Sequence, residues 1–129
     1  MEYGHLNLIF GWFWMLAGLI AGAIIGLFFH NEHWMGGYAS FRRRLIRLGH
    51  IAFFGLGFMN LLFAISAQML SLDATQHTIA SFGLIIGATT MPLCCFLTAW
   101  KPVFRHSFPI PVLSTAAAIV TILLSARLS

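Results

Sequence analysis

Gly4-His5-Leu6-Asn7-Leu8-Ile9-Phe10-Gly11-Trp12 opens a run that continues without a charged residue to Phe29, and its reading decides the architecture. A hydrocarbon core about 30 Å thick needs roughly 20 apolar residues in helix. Residues 6–29 meet that length, and the test is passed again by 48–70 and 78–100, which also lack Asp, Glu, Lys and Arg. A shorter uncharged stretch follows at 110–126. With 60% hydrophobic and 8% charged residues in a 129-residue chain, the composition lies far from that of a soluble domain. The expectation is an all-α membrane protein: a single four-transmembrane-helix bundle over residues 1–129, with spans at about 6–29, 48–70, 78–100 and 110–126. The first span is not read as a cleaved signal, because it lacks a basic n-region and exceeds the length of an h-region.

Charge sets the expected orientation. Arg42, Arg43, Arg44 and Arg47 fall between spans one and two, and Lys101 and Arg105 between three and four. The other side has only Arg127, with Glu2 and Asp73. The positive-inside rule then puts both basic loops in the cytoplasm and both termini on the non-cytoplasmic side. The net charge of +4 reads as topology rather than nucleic-acid binding. The expected location is a bacterial inner membrane or its organellar equivalent, multi-pass, with lipid and a larger membrane complex or further copies of the chain as partners.

Within the spans, Gly18, Gly22 and Gly26 recur every four residues, the spacing that lets a second helix approach closely. On span two, His50, Phe53, Gly57, Asn60, Ala64 and Ala67 share one face, and Phe58, Leu61 and Leu62 point toward lipid. Asn60 is expected to hydrogen-bond between helices, since a polar group at that depth needs a partner. Asp73 and His77 have the i, i+4 spacing of a surface pair. Gly83 and Gly87 form another close-packing pair, and Pro92 is placed to kink span three. Cys94 and Cys95 are adjacent and read as small apolar residues. The loop at 30–47 carries Trp34, Tyr38 and Phe41 among arginines, as an interfacial segment does. His30 and His33 there make at most an incomplete metal site.

Six histidines against three acids are the compositional oddity. They sort by depth: His5 with His77 at one end, His30 with His50 at the other. A b-type haem in a bundle needs two imidazoles from different helices at one depth, small residues to admit the ring and aromatics beside it. The candidate cofactor residues are therefore His50, His30, His5 and His77, with His50 and His5 first as iron ligands and the arginines available for propionates. The competing reading is that histidines at helix ends are simply interfacial and hold nothing.

At His5 a resemblance enters. Gly4-His5-Leu6-Asn7 followed by Gly11-Trp12 resembles a stretch of small membrane proteins related to the haem-copper oxidase catalytic subunit, although one residue more separates Asn7 from Gly11. The resemblance covers nine residues and implies a haem-ligand role for His5 alone, because the further spans and the copper-binding histidine pair of an oxidase are missing.

No paired carboxylates, nucleophile triad, phosphate loop or CxxC is present, and the spans hold no Asp, Glu or Lys for an ion path. Two readings follow. One is a haem b subunit carrying electrons within a larger respiratory or photosynthetic complex, exchanging them with quinone or a protein partner. The other is a cofactor-free accessory subunit that packs on and stabilises such a complex. A lipid- or pigment-contacting helper, resting on the abundant Phe and Trp, ranks third.

Overall fold

The computed structural model describes residues 4–128. Four helices form: α1 (His5–Phe29), α2 (Phe41–Met69), α3 (Ala74–Trp100) and α4 (Pro109–Leu128), with short 3-10 turns at Trp34–Gly36 and Pro102–Ser107. Each of the four spans is long and apolar enough to cross a membrane. The helices run antiparallel in sequence order, so one end of the bundle holds the basic loops and the other holds the start of α1 and the α2–α3 connection.

The helices pack in an open row. Each rests on its neighbour in sequence, α1 only grazes α3, and α1 and α4 share no extended contact. About half of the α2 and α3 span windows is buried (44% and 50%), against 11% in the first and fourth spans. Hence α2 and α3 are the core, and α1 and α4 are flanks. The α3–α4 joint depends on two glycines: a Cβ on Gly83 would lie 2.7 Å from the Ser114 carbonyl oxygen, and one on Gly87 would run into Thr115. Pro92 is buried within α3, a position tolerated in membrane helices where neighbours re-satisfy the freed carbonyl.

Helix α2 starts at Phe41, seven residues before the expected span, so the arginines belong to its first two turns and not to a loop. Ser40 is the reason: its hydroxyl caps the helix by accepting from the Arg43 N–H at 3.2 Å. Before it the chain reverses through Met35, Gly36 and Gly37, all at positive φ (55°, 85° and 93°), which two glycines make inexpensive. Helix α3 also starts early, because Asp73 and Gln76 form a capping box. Asp73 is therefore a cap. The His77 N–H donates to the Asp73 carbonyl at 2.9 Å.

Three of the arginines bond backbone carbonyls at the basic end, and one of them closes a helix. A helix leaves its last carbonyls without intrahelical donors, and a cation there also meets the negative end of the macrodipole. Arg42 Nε donates to the Ala99 carbonyl at 2.7 Å and Nη2 to Trp100 at 3.3 Å, capping α3. Arg43, buried, donates from Nε to the Trp34 carbonyl at 2.8 Å and from Nη2 to that of Asn31, so it ties down the chain leaving α1. Its guanidinium also sits over the Phe29 and Trp34 rings, at 5.0 and 5.6 Å. Arg47 donates to the Tyr38 carbonyl at 3.0 Å and stacks 4.4 Å over the Tyr38 ring.

Arg43→Ala leaves two inward-turned carbonyls without their charged donor and removes both ring contacts. We expect a loss on the order of 2–3 kcal/mol, and a smaller one for Arg42→Ala, whose site is solvent-exposed. Chemical denaturation in detergent micelles, followed by circular dichroism, reads that order.

Candidate functional site

The residues that carry chemical interest lie along the α1–α2 joint. At the end where α1 begins, Gly4 takes a left-handed backbone (φ +93°) and presses on α2, where an added Cβ would lie 2.7 Å from the Ala64 carbonyl oxygen. Gly11 sits over Gly57, and a Cβ there would stand 3.0 Å from the Gly57 carbonyl and 2.7 Å from the Leu61 side chain. Leu61 is thereby buried in the joint instead of facing lipid, while Phe58 and Leu62 do face outward. Trp14 stacks on Phe10 (5.3 Å) and meets Phe53 at a tilt (4.9 Å).

Between these glycines three helices meet at Asn7. Its Nδ2 donates to Asn60 Oδ1 at 2.7 Å and to the Ser81 carbonyl at 3.2 Å, and its Oδ1 accepts from the Ser81 hydroxyl at 2.5 Å. Asn60 Nδ2 in turn donates to the carbonyls of Leu56 (2.8 Å) and Leu84 (3.4 Å). Asn7 and Asn60 are completely buried and Ser81 nearly so. Every polar atom of the two carboxamides thus has a partner, as a lipid-surrounded core demands.

Further along, the glycine spacing has a different purpose from the close approach of two backbones. Gly18 receives the Phe53 side chain, and Gly22 receives the His50 ring, which occupies the space a Cβ would need. His50 Nε2 lies 3.1 Å from the Gly18 carbonyl oxygen. In a helix that carbonyl already accepts from the N–H of residue 22, and a side chain there would shield its second lone pair. Gly22 leaves the lone pair open to the imidazole. A carbonyl only accepts, so Nε2 is the donor, and in the neutral ring Nδ1 is left as an acceptor. Gly18 lies near the middle of the 25-residue α1, so the ring tip reaches mid-span. Phe54 meets the ring edge-on at 5.5 Å.

A cleft of about 340 Å³ opens beside His50, lined by Gly22, Gly26 and Phe29 of α1 and by Arg47, His50 and Ile51 of α2. A second one of about 350 Å³ lies on the other flank of α1, between Phe28, Trp34, Met35, Ile46 and Phe96, and is lined by apolar residues alone.

The other candidate histidines stand apart. His5 is exposed, on the face of α1 opposite Asn7. His77 rests against the Phe63 ring at 5.5 Å. His30 is exposed at the C-cap of α1, about two turns beyond Gly22, roughly 12 Å along the axis. His50 therefore lies deeper than His30, a consequence of the early start of α2. As arranged, His50 and His30 lie at different depths, and the His50 Nε2 is engaged by the Gly18 carbonyl. Of the arginines expected for propionates, Arg42, Arg43 and Arg47 are bonded to backbone carbonyls. Among the described residues no cluster of three or more His, Cys, Asp or Glu side chains comes together. Cys94 and Cys95 are buried free thiols, Cys94 accepting from the Ser107 hydroxyl at 3.1 Å.

Compared with known proteins, the chain matches no family model, no curated protein and no solved structure.

Two outcomes are expected. Asn7→Leu strands the Asn60 carboxamide oxygen and the Ser81 hydroxyl, and should lower stability by about 1–2 kcal/mol in micelles, within the range for interhelical polar contacts in membranes. In ¹⁵N NMR of histidine-labelled protein, His50 should give a protonated, hydrogen-bonded Nε2. Gly22→Ala, which puts a methyl in the path of the ring, should erase that pattern, whereas Gly26→Ala should keep it.

Proposed function

We propose that the chain is a cofactor-free accessory subunit that packs on and stabilises a larger membrane complex, its basic loops on the cytoplasmic side by the positive-inside rule. One observation carries this reading: the glycines and asparagine of the opening motif, three arginines of the basic row and His50 are taken up by contacts between segments. Gly4, Asn7 and Gly11 of the opening motif bind α1 to α2 and α3, and Arg42, Arg43 and Arg47 hold backbone carbonyls. The open row supports it further. Helix α1 is braced on one side only and turns Trp12, Phe13, Leu16 and Leu19 outward, a broad apolar face suited to lipid or to a helix of a partner.

A second reading, the haem b subunit carrying electrons, keeps one observation in its favour. His50, with Arg47 one turn away, borders a ring-sized cleft. It requires His50 to leave Gly18 and a second ligand to come from elsewhere.

Two measurements separate the readings. Gently solubilised native membranes, run on a non-denaturing gel, should carry the chain in a band far heavier than its 14.3 kDa. A band no larger than a small homo-oligomer would remove the accessory reading. The purified protein should show no reduced-minus-oxidised haem difference; a b-type spectrum lost in His50→Ala would put the haem reading in its place.

A further inference from the structure

We propose that the apolar groove between α1 and α3 near the basic end holds an acyl chain of one anionic phospholipid, whose phosphate rests against Arg42 and Lys101. The inference goes beyond the accessory role and does not depend on it.

The groove follows from how the row is closed. Helices α1 and α3 meet across α2 at Asn7 and Ser81, where hydrogen bonds join them. Nearer the basic end, the space between them is a groove of about 350 Å³. Ile24 and Phe28 of α1 line one side and Phe96 of α3 the other, with the buried Ile46 of α2 beneath. Gly49 makes the position of Phe96 possible, since a Cβ there would lie 2.8 Å from that ring. Trp34 and Met35, in the connection after α1, bound the groove at the basic end. Its α1 side extends from Ala21 to Phe28, about 10 Å along the axis. An apolar slot running along a membrane helix suits a hydrocarbon chain, which lies in the same direction.

Charge selects the lipid. Arg42 precedes Ile46 by four residues on α2, and Trp100 follows Phe96 by four on α3. Each therefore stands on the same helix face as its groove residue, about 6 Å nearer the basic end. Arg42 donates to the carbonyls of Ala99 and Trp100, which carries its guanidinium to the end of α3. The Lys101 ammonium lies 4.6 Å from the centre of the Trp100 ring. Two cations thus gather around Trp100. Carbonyls and a ring face orient a cation without neutralising it. Both side chains are exposed, and among the described residues no ion pair holds either of them. Glu32 is the only acid in the two basic connections.

Unanswered cations one turn beyond an apolar groove call for an anionic head joined to a hydrocarbon tail. Phosphatidylcholine brings its own ammonium and no net charge. A soluble anion leaves the groove unused, and an apolar helix of a partner covers the groove but brings no anion. Arg44 supplies an internal contrast. It belongs to the exposed stripe with Leu48, Ile51 and Phe58, on the side of α2 turned away from Ile46.

The test uses the full-length protein, delipidated in mild detergent. It is titrated with phosphatidylglycerol and, separately, with phosphatidylcholine of the same chains, and native mass spectrometry counts the bound lipid. We expect one saturable phosphatidylglycerol site, at least about tenfold tighter than phosphatidylcholine binding. Lys101→Gln should weaken it about fivefold, the worth of one interfacial cation, and Arg44→Gln should leave it unchanged. Ala21→Leu, which puts a larger apolar side chain into the groove, should weaken binding with every charge intact and helical content retained. Equal affinity for the two lipids would overturn the assignment, as would equal losses in Lys101→Gln and Arg44→Gln, the mark of a diffuse field. So would full binding in Ala21→Leu, or displacement by glycerol phosphate, which has the head without the chains. None of these outcomes bears on the native-gel result that tests the accessory role.

Discussion

In hydrocarbon a polar group has no water to fall back on, so each one inside the bundle must be answered by the protein itself. The Asn7–Asn60–Ser81 cluster is where this constraint acts most strongly. Two carboxamides and one hydroxyl from three helices, all buried, satisfy one another and three backbone carbonyls. A shift of one residue between α1 and α2 would strand several of these atoms at once, whereas a shift between purely apolar faces costs little. The cluster therefore sets the register of α1, α2 and α3, and every contact along the α1–α2 joint inherits it. Gly11 finds Gly57, Gly18 finds Phe53 and Gly22 finds His50 because Asn7 finds Asn60.

The same constraint shapes the basic end. Carbonyls at the close of α3 and in the chain after α1 lie where the membrane gives way to water, and Arg42 and Arg43 reach them from the first turns of α2. One row of arginines thus serves topology by charge and architecture by hydrogen bonding. His50 follows the rule within the span. Its ring is paired because two glycines expose a helix carbonyl that a side chain at position 22 would cover.

Much of this was legible in the residues. Charge-free runs gave the four spans, and the amphipathic stripe on span two placed Gly57, Asn60, Ala64 and Ala67 inward correctly. Gly83 and Gly87 were rightly marked as a close-packing pair. The start of α2 is hidden in the sequence because a cluster of arginines reads as loop charge, although they are good helix formers and Ser40 serves as a cap. Leu61 was assigned to lipid because periodicity cannot reveal that a glycine on another helix makes room for it. The partner of Asn60 was available in principle: Asn7 is the other asparagine in an uncharged span, and two buried amides seek each other. What no spacing rule could supply is the depth of His50 relative to His30, which depends on the three-dimensional register, or the use of Gly22 as a socket for a ring.

The central claim is that the Asn7–Asn60 contact sets the helix register, and a double-mutant cycle measures it most directly. Unfolding free energies of the parent, Asn7→Leu, Asn60→Leu and the double variant, taken in one detergent, yield the coupling. Coupling energies between polar side chains in membrane bundles average about 0.6 kcal/mol and reach about 1.7. With both carboxamides buried and bonded at 2.7 Å, the account predicts a coupling of about 1 kcal/mol or more. Additive losses, with no coupling beyond error, would contradict it.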